Sequence, residues 1–203
     1  MAPRKRDKPP PVVLLCGPSG VGKSSVATAV VAARSELLTL VSQDSYFGGA
    51  FKPYAEALRD GHTDLEGPDH IDWGALNCKV FGVKLEDRGC LVEGHNVLAN
   101  AELVQLADLV IFLDAPPSLC AARRVGRRRR SEAENAEIET YYHRFVWPAH
   151  LEHVRPVLER LQRLADAPRV VTLDAKAPTA ELVDLALAAI DAASAPRAPP
   201  CGL

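Results

Sequence analysis

Short, continuous apolar runs recur along the chain, separated by longer segments with helical periodicity. Five runs predict strands, and they are Val12–Cys16, Leu37–Val41, Cys90–Val92, Leu109–Leu113 and Val170–Leu173. They are continuous rather than alternating, which is typical of strands buried on both faces of a parallel sheet. Helical patterns span about 22–34, 72–86, 117–130, 136–165 and 179–192. The alternation predicts an α/β fold, a five-stranded parallel sheet with helices on both faces.

The two ends of the chain differ from its middle. Residues 1–11 combine charge with proline, and residues 194–203 combine small side chains with proline. Neither segment can bury enough surface to offset the entropy of ordering. We therefore expect a disordered basic tail at 1–11, a single domain at 12–193 and a second disordered tail at 194–203. The Lys/Arg run at 4–8 is interpreted as part of a solvated tail, with a nuclear-localisation signal as the alternative.

Composition narrows the class of protein. The chain has 203 residues, of which 47% are hydrophobic and 25% charged, as in an ordinary globular domain. The net charge of −2 gives no overall positive field for a nucleic acid. No apolar stretch approaches the roughly 18–20 residues that cross a bilayer, and the N-terminus does not resemble a secretory signal. The five scattered cysteines form no CxxC pair and are typical of reduced thiols.

These observations predict a cytoplasmic protein, with a nuclear location as the alternative. They predict neither a nucleic-acid partner nor a membrane partner, and no surface stripe indicates a particular oligomeric state.

A complete G-x-x-x-x-G-K-S sequence directly follows the first predicted strand. Its residues are Gly17, Pro18, Ser19, Gly20, Val21, Gly22, Lys23 and Ser24, and Ser25 comes next. The glycines let backbone N–H groups approach phosphate oxygens, and the following helix adds the positive end of its dipole. Lys23 can reach the β- and γ-phosphates, and the Ser24 hydroxyl can hold Mg²⁺. The sequence therefore predicts a P-loop that binds ATP and Mg²⁺.

Acidic residues follow the second and third predicted strands. Asp44 can take the proton of a substrate hydroxyl, although a turn or helix-capping role is the alternative. Glu93 can bind Mg²⁺ or substrate hydroxyls, with a structural cap as the alternative. Strand ends of a parallel sheet meet at one edge, so both carboxylates should lie beside the P-loop. His95 and Asn96 are either a solvated loop pair or a substrate contact.

A cluster of arginines suggests a mobile lid over the phosphates. Its members are Arg123, Arg124, Arg127, Arg128, Arg129 and Arg130. We expect a helical lid at about 120–146 in which Arg123, Arg124 and Arg127 stabilise the transferring phosphoryl group, with a solvated, salt-bridged helix as the alternative. Arg129 and Arg130 are interpreted as part of a solvated helix. A small-molecule kinase needs these parts, and no N-K-x-D sequence of a GTPase is present.

Four blocks of sequence resemble the uridine kinase and phosphoribulokinase superfamily, and within it the nicotinamide riboside kinases. They are GPSGVGKSS at 17–25, SQDSYF at 42–47, LVEG at 91–94, and the lid region from RRVGR at 123–127 to YYHRFVWPAHL at 141–151. The resemblance spans roughly residues 12–175. It implies a P-loop kinase fold and Mg-ATP-dependent phosphorylation of a riboside 5′-hydroxyl, with nicotinamide riboside preferred, as in NAD salvage.

The same resemblance implies roles for individual residues. Asp44 matches the general base, and Glu93 matches an acid near ribose and metal. A D-x-P-x-A-x-D pattern that binds ribose corresponds to residues 66–72, with Glu66 in place of its first Asp and Asp72 at its last position. Candidates for an aromatic platform under the ring are Tyr46, Phe47, Tyr54, Tyr141 and Tyr142. A uridine/cytidine kinase and a catalytically silent nucleotide-binding module are the alternative functions.

Overall fold

All five predicted strands are present. The computed structural model describes residues 10–48, 53–61 and 66–194, so nearly all of both predicted tails lies outside the described residues. The strands are β1 Val12–Cys16, β2 Leu38–Ser42, β3 Gly89–Glu93, β4 Leu109–Asp114 and β5 Arg169–Asp174. They form one parallel sheet in the order β2-β3-β1-β4-β5. The strand order reverses at β1, and ligands of open α/β sheets bind beyond the carboxyl end of that strand.

Helices cover both faces of the sheet, as predicted. The described helices are α1 Lys23–Ala33, α2 Tyr54–Asp60, α3 Trp73–Leu85, α4 Ala101–Leu106, α5 Pro117–Val125, α6 Glu132–Tyr141, α7 Trp147–His153, α8 Arg155–Arg163 and α9 Thr179–Ser194. Alternate side chains of a strand point to opposite faces. Val13 and Leu15 of β1 accordingly pack in one core cluster with α1 and α9, whereas Val12 and Leu14 pack in the other with α3 and α8.

The helical lid differs from its prediction. The helix expected at 117–130 ends at Val125, and a new helix begins after Ser131, whose hydroxyl accepts from the Glu134 backbone N–H at 3.3 Å. The Glu134 carboxylate in turn accepts from the Ser131 N–H at 2.9 Å, which completes a capping box. This local signal separates α5 from α6.

The helical pattern expected at 136–165 is present, but it is not one continuous helix, and a new helix begins at Trp147, where the Trp147-Pro148 pair favours a helix start or kink. The segment is divided into α6, a π-helical turn at Tyr142–Val146, α7 and α8. Pro148 and Pro156 lie in the first turns of α7 and α8, where their missing N–H groups are tolerated. The short helices α2 and α4 had no counterpart in the prediction. Within the described part of the chain, no helix combines the length and the apolar character needed to span a membrane.

Candidate active site

The predicted P-loop lies between β1 and α1 and packs tightly against its neighbours. Gly17 and Gly20 have φ values of 147° and 92°, in the region that favours glycine. A Cβ atom at Gly17 would collide with the Leu113 carbonyl, and one at Gly20 would collide with the Cys120 carbonyl. The loop therefore needs glycine at both positions, and it leads into the N-terminus of α1, where backbone N–H groups favour an anion.

The Lys23 side chain is buried within this loop. Its Nζ atom donates to the carbonyl oxygens of Gly17 and Pro18, at 3.0 Å in each case. Burial lowers the pKa of Lys23 below its ordinary value, while the negative charges of Glu93 and Asp44 act in the opposite direction. The ammonium group thus lies within electrostatic range of both carboxylates that the sequence singled out.

Glu93 at the end of β3 is held by two hydroxyl groups. Ser42 Oγ donates to Glu93 Oε1 at 2.6 Å, and Ser24 Oγ lies 3.3 Å from Oε2. The oxygen donors of Ser24 and Glu93 fit Mg²⁺, which prefers hydroxyl, carboxylate and phosphate oxygens. Among residues 10–48, 53–61 and 66–194, no group of three or more His, Cys, Asp or Glu side chains could hold a metal. A magnesium ion here would therefore also need the oxygens of the nucleotide phosphates.

The buried Glu66 and the partly buried Arg124 form an ion pair. Arg124 Nη2 donates to Glu66 Oε1 at 3.3 Å, and Nη1 donates to the Ser19 hydroxyl of the P-loop at 3.1 Å. The guanidinium also lies 5.8 Å from the ring centroids of both Tyr54 and Tyr141. Burial raises the pKa of Glu66, and the charge of Arg124 opposes that shift. Arg124 thus connects the P-loop to an aromatic and acidic pocket.

Two loops at the sheet edge are joined by a buried amide network. The Gln43 side-chain oxygen accepts from the Asn96 backbone N–H at 2.9 Å, and Gln43 Nε2 lies 3.3 Å from His95 Nδ1. Asn96 Nδ2 donates to the Glu66 carbonyl at 3.0 Å. Burial, followed by the charges of Lys23 and Arg124, lowers the pKa of His95 to about 3. Asn96 is buried, so the solvated-loop interpretation is wrong for it.

These elements surround one cavity of about 1090 Å³. The predicted residues that line it are Ser19, Gly20, Val21, Gly22, Lys23, Ser24, Ser25, Asp44, Phe47, Glu66, Glu93, Arg123, Arg124 and Arg127. Tyr54 and Tyr141, two of the candidates for the aromatic platform, line it as well. Their rings pack edge to face, with centroids 5.1 Å apart. This volume is slightly larger than the usual range for ligand pockets, about 300–1,000 Å³, so the cavity is large enough for a nucleotide together with a small acceptor.

Three predicted substrate contacts are not brought to the cavity. Asp72 caps α3, because its Oδ1 atom accepts from the Ala75 N–H at 2.9 Å. Tyr46 packs against the core on the α3 side, and Tyr142 is fully buried in the π-helical turn. Their side chains therefore serve the fold in this structure.

The lid arginines have different partners. Arg123 donates to the carbonyls of Val21 and Ala175, at 2.9 Å each, and so ties the P-loop to the segment after β5. Arg127 lines the cavity, and its charge acts on Lys23. Arg130 also lines the cavity. Neither Arg129 nor Arg130 lies on a helix, contrary to the expectation of a solvated helix for both.

Among curated proteins, the chain is similar in sequence to uridine kinases. No protein-family model matches the chain. The chain is 25% identical to a uridine kinase of Schizosaccharomyces pombe over 167 residues, which cover 70% of this chain and 37% of that protein. It thus spans little more than a third of that relative. A uridine kinase of Oceanobacillus iheyensis is 26% identical over 175 residues, covering 72% of this chain and 81% of that protein.

Solved structures identify the fold. A gluconokinase from Sinorhizobium meliloti 1021 superposes with a TM-score of 0.53 at 20% identity, covering 94% of this chain and 95% of that one. A sugar kinase from Janibacter sp. HTCC2649 gives a TM-score of 0.55 at 19% identity, covering 90% of this chain and 95% of the other. This is a P-loop kinase fold. The predicted fold class is therefore confirmed, including the five-stranded parallel sheet.

Several cavity residues of this P-loop kinase fold were missed from the sequence. Glu134, Glu137 and Ile138 line the cavity together with Tyr141. They share one face of α6 at helical spacing, which was the available signal. Ala177, in the turn after β5, and Thr179, the first residue of α9, also line the cavity, but no glycine-rich or phosphate-binding motif marks that segment.

Proposed function

We propose that the protein is an ATP-dependent small-molecule kinase that phosphorylates the 5′-hydroxyl of a riboside. The observation that carries this proposal is the convergence of Lys23, Ser24, Glu93 and Asp44 on the cavity that also contains the Glu66–Arg124 pair. The relatives named uridine kinase and the solved kinases of the same fold support the kinase class.

The P-loop half of the cavity is suited to a nucleotide. Bound Mg-ATP would supply the phosphoryl group, and the metal would neutralise part of its charge. The P-loop backbone and Lys23 would hold the phosphates, and Ser24 and Glu93 would hold the metal. Ser42 keeps the Glu93 carboxylate oriented through its 2.6 Å hydrogen bond. Arg127 brings a further positive charge to the same region.

The other half of the cavity is suited to the acceptor. Asp44 would accept the proton of the attacking hydroxyl, as a general base within hydrogen-bond reach does. Glu66 is a buried hydrogen-bond acceptor and would bind sugar hydroxyls, while Arg124 keeps its charge balanced. Phe47, Tyr54 and Tyr141 provide the aromatic surface for a planar ring.

Two kinds of riboside are the leading acceptors. The sequence resemblance favours nicotinamide riboside, which would place the reaction in NAD salvage, and the relatives named uridine kinase favour uridine or cytidine. A catalytically silent nucleotide-binding module is less well supported, because it would have no use for Asp44 beside the P-loop lysine.

Turnover of Mg-ATP with a panel of acceptors tests the proposal. ADP release is measured with nicotinamide riboside, nicotinic acid riboside, uridine, cytidine and no acceptor. We expect ADP release that depends on at least one riboside, and that riboside identifies the ring class. Equal ADP release in every reaction would contradict riboside phosphorylation, and ATP binding without any ADP release would favour the silent module.

A further inference from the structure

A run of four arginines, at residues 127–130, leads directly to Ser131, the residue that caps α6. Ser131 is the one serine or threonine of the sequence with arginines at both the second and the third preceding position. Protein kinases select their substrates by charge pattern, and a kinase with an acidic peptide groove binds arginines at such positions. The sequence therefore presents Ser131 as an acceptor for an arginine-directed protein kinase.

The structure places this serine where an enzyme can reach it. Residues 126–131 join α5 to α6 without forming a helix, and Ser131 is exposed with an extended backbone, φ −66° and ψ 160°. Its Oγ atom donates to Glu134 Oε2 at 2.8 Å, and Glu134 is exposed as well. Exposed segments outside regular secondary structure are where enzymes gain access to a chain, and helix ends open readily. The Ser131 hydroxyl is therefore available for modification.

The same serine lies at the edge of the cavity that contains the P-loop. Glu134, which binds the Ser131 hydroxyl, lines this cavity, and so does Arg130, the residue immediately before Ser131. Arg127 and Arg128, in the same link between α5 and α6, line the cavity as well. A group added to Ser131 is therefore adjacent to side chains of the proposed nucleotide site.

A phosphate on Ser131 would change the charge of this link. It carries about −1.5 to −2 charges at neutral pH and three strong acceptor oxygens, which pair with arginines. Backbone and side-chain hydrogen bonds from Ser131 lower the pKa of Glu134, so this carboxylate is ionised at neutral pH and would repel the phosphate. The capping box would break, and the phosphate would compete with a nucleotide for the arginines beside it.

We infer that Ser131 is a phosphorylation site in the lid, and that its phosphorylation weakens the binding of Mg-ATP to this protein. Ser131 Oγ forms a bond to the γ-phosphorus of an ATP molecule held by the protein kinase. The bond from that phosphorus to the β–γ bridging oxygen breaks, ADP leaves, and the hydroxyl proton passes to the base of the protein kinase. The expected loss of catalytic activity rests on the proposed function, whereas the modification and the ATP affinity are independent of the acceptor.

Phosphorylation of the intact protein tests the site itself. The probe is a purified arginine-directed kinase, the catalytic subunit of cAMP-dependent protein kinase, and peptide mass spectrometry should locate the phosphate at Ser131. Ser131→Asn keeps a residue that caps a helix but has no hydroxyl, so it should take up no phosphate at this position. Arg129, unlike the other three arginines of the run, does not line the cavity. Arg129→Gln should therefore slow phosphorylation roughly tenfold while Mg-ATP binding stays within about twofold.

Calorimetric titration with Mg-ATP tests the consequence. We expect the dissociation constant of the phosphorylated protein to be roughly tenfold higher than that of the unmodified protein, because negative charge is added beside the cavity. Removal of the phosphate by a phosphatase should restore the original value. Ser131→Asn should bind Mg-ATP within about twofold of the wild type, and treatment with the protein kinase should not change its affinity.

Absence of phosphate at Ser131 would overturn the inference, as would phosphorylation there that leaves the affinity for Mg-ATP unchanged. An equal loss of affinity in treated Ser131→Asn would also overturn it, because the effect would then arise at another residue. The acceptor panel separates this inference from the proposed function. If the unmodified protein turns over no riboside, the proposed function fails alone, since neither phosphorylation of Ser131 nor ATP binding requires an acceptor.

Discussion

His150 in α7 makes the stability of the protein dependent on pH. Its ring stacks on Phe112 of β4, with centroids 5.9 Å apart, and lies 5.4 Å from the Trp147 ring. His150 is 5% exposed, and neither ring nitrogen has a hydrogen-bond partner among the described residues. Burial, followed by the positive charges of Arg155 and Lys23, lowers the pKa of His150 to about 3. The folded protein therefore keeps this imidazole neutral.

The sign and size of the effect follow from proton linkage. The ordinary pKa of histidine is 6.5, so between about pH 3 and 6.5 the unfolded chain binds a proton at His150 that the folded protein does not. The free energy of unfolding therefore falls as the pH falls below 6.5, by up to about 1.4 kcal/mol per pH unit. Between pH 8 and pH 5 the loss from this one group is about 2 kcal/mol. The contribution is fully present only above the unfolded pKa.

Replacing His150 with phenylalanine isolates this contribution. The variant keeps an aromatic ring against Phe112 and Trp147 but cannot bind a proton. We expect its free energy of unfolding at pH 8 to equal or exceed that of the wild type, since two unpaired ring nitrogens are removed. At pH 5 its free energy of unfolding, relative to that of the wild type, should be about 2 kcal/mol higher than at pH 8. Urea unfolding of both proteins at pH 5, 6, 7 and 8 measures the difference.

Other titrating groups are present in both proteins, so their contributions cancel in the difference between the two free energies of unfolding. His95, whose pKa is also lowered by burial, is present in both, as are the Arg155–Asp114 pair and Lys23. His143→Gln, which removes an exposed histidine of the neighbouring turn, is the matched control for loss of one imidazole. If the wild type and His150→Phe lose stability in parallel from pH 8 to pH 5, the reasoning about a buried neutral histidine is refuted.

Three further substitutions test the site itself. Asp44→Asn should lower kcat roughly 100-fold or more while leaving the calorimetric affinity for ATP nearly intact, because a general base acts on the acceptor proton; a near-wild-type rate would contradict that role. Lys23→Ala should weaken ATP binding or phosphoryl transfer, and normal kinetics would contradict the P-loop assignment. Arg123→Leu should reduce the free energy of unfolding by roughly 1–3 kcal/mol, because the carbonyls of Val21 and Ala175 lose their charged donor. Unchanged stability in urea unfolding would count against this structural role of Arg123.

The sheet was predictable because its signal is local. Each strand is a short apolar run bounded by polar residues, glycine or proline. The predicted second strand at Leu37–Val41 differs from β2, Leu38–Ser42, by one residue at each end. Periodicity predicted the helical segment at 136–165 but not its division, because periodicity indicates only which side chains share a face; the Trp147-Pro148 pair marks one of the breaks. The breaks arise from backbone N–H groups that Pro148 and Pro156 lack, and from the π-helical turn before Trp147.

In the candidate site, too, the residues that follow from local sequence signals were predictable, and those placed by tertiary packing were not. The P-loop, Asp44 and Glu93 lie at or just beyond the carboxyl ends of their strands. Their meeting at one sheet edge therefore required only the assumption of parallel strands. Tyr141 reaches the cavity on α6, a helix whose position depends on tertiary packing. The contact between Asn96 and the Glu66 carbonyl joins residues that are distant in sequence, and neither residue type nor spacing indicates it.

The lid arginines show why residue type alone could not assign roles. Arg123 and Arg124 are adjacent on α5, and successive residues of a helix point in directions about 100° apart. Arg123 is consequently held by backbone carbonyls, while Arg124 faces Glu66 and the P-loop hydroxyl of Ser19. Arg127 lines the cavity within electrostatic range of Lys23. Because two hydrogen bonds to carbonyl oxygens hold the Arg123 guanidinium in place beside the P-loop and the segment after β5, we expect the stabilisation of the transferring phosphoryl group to fall to Arg127 rather than to Arg123.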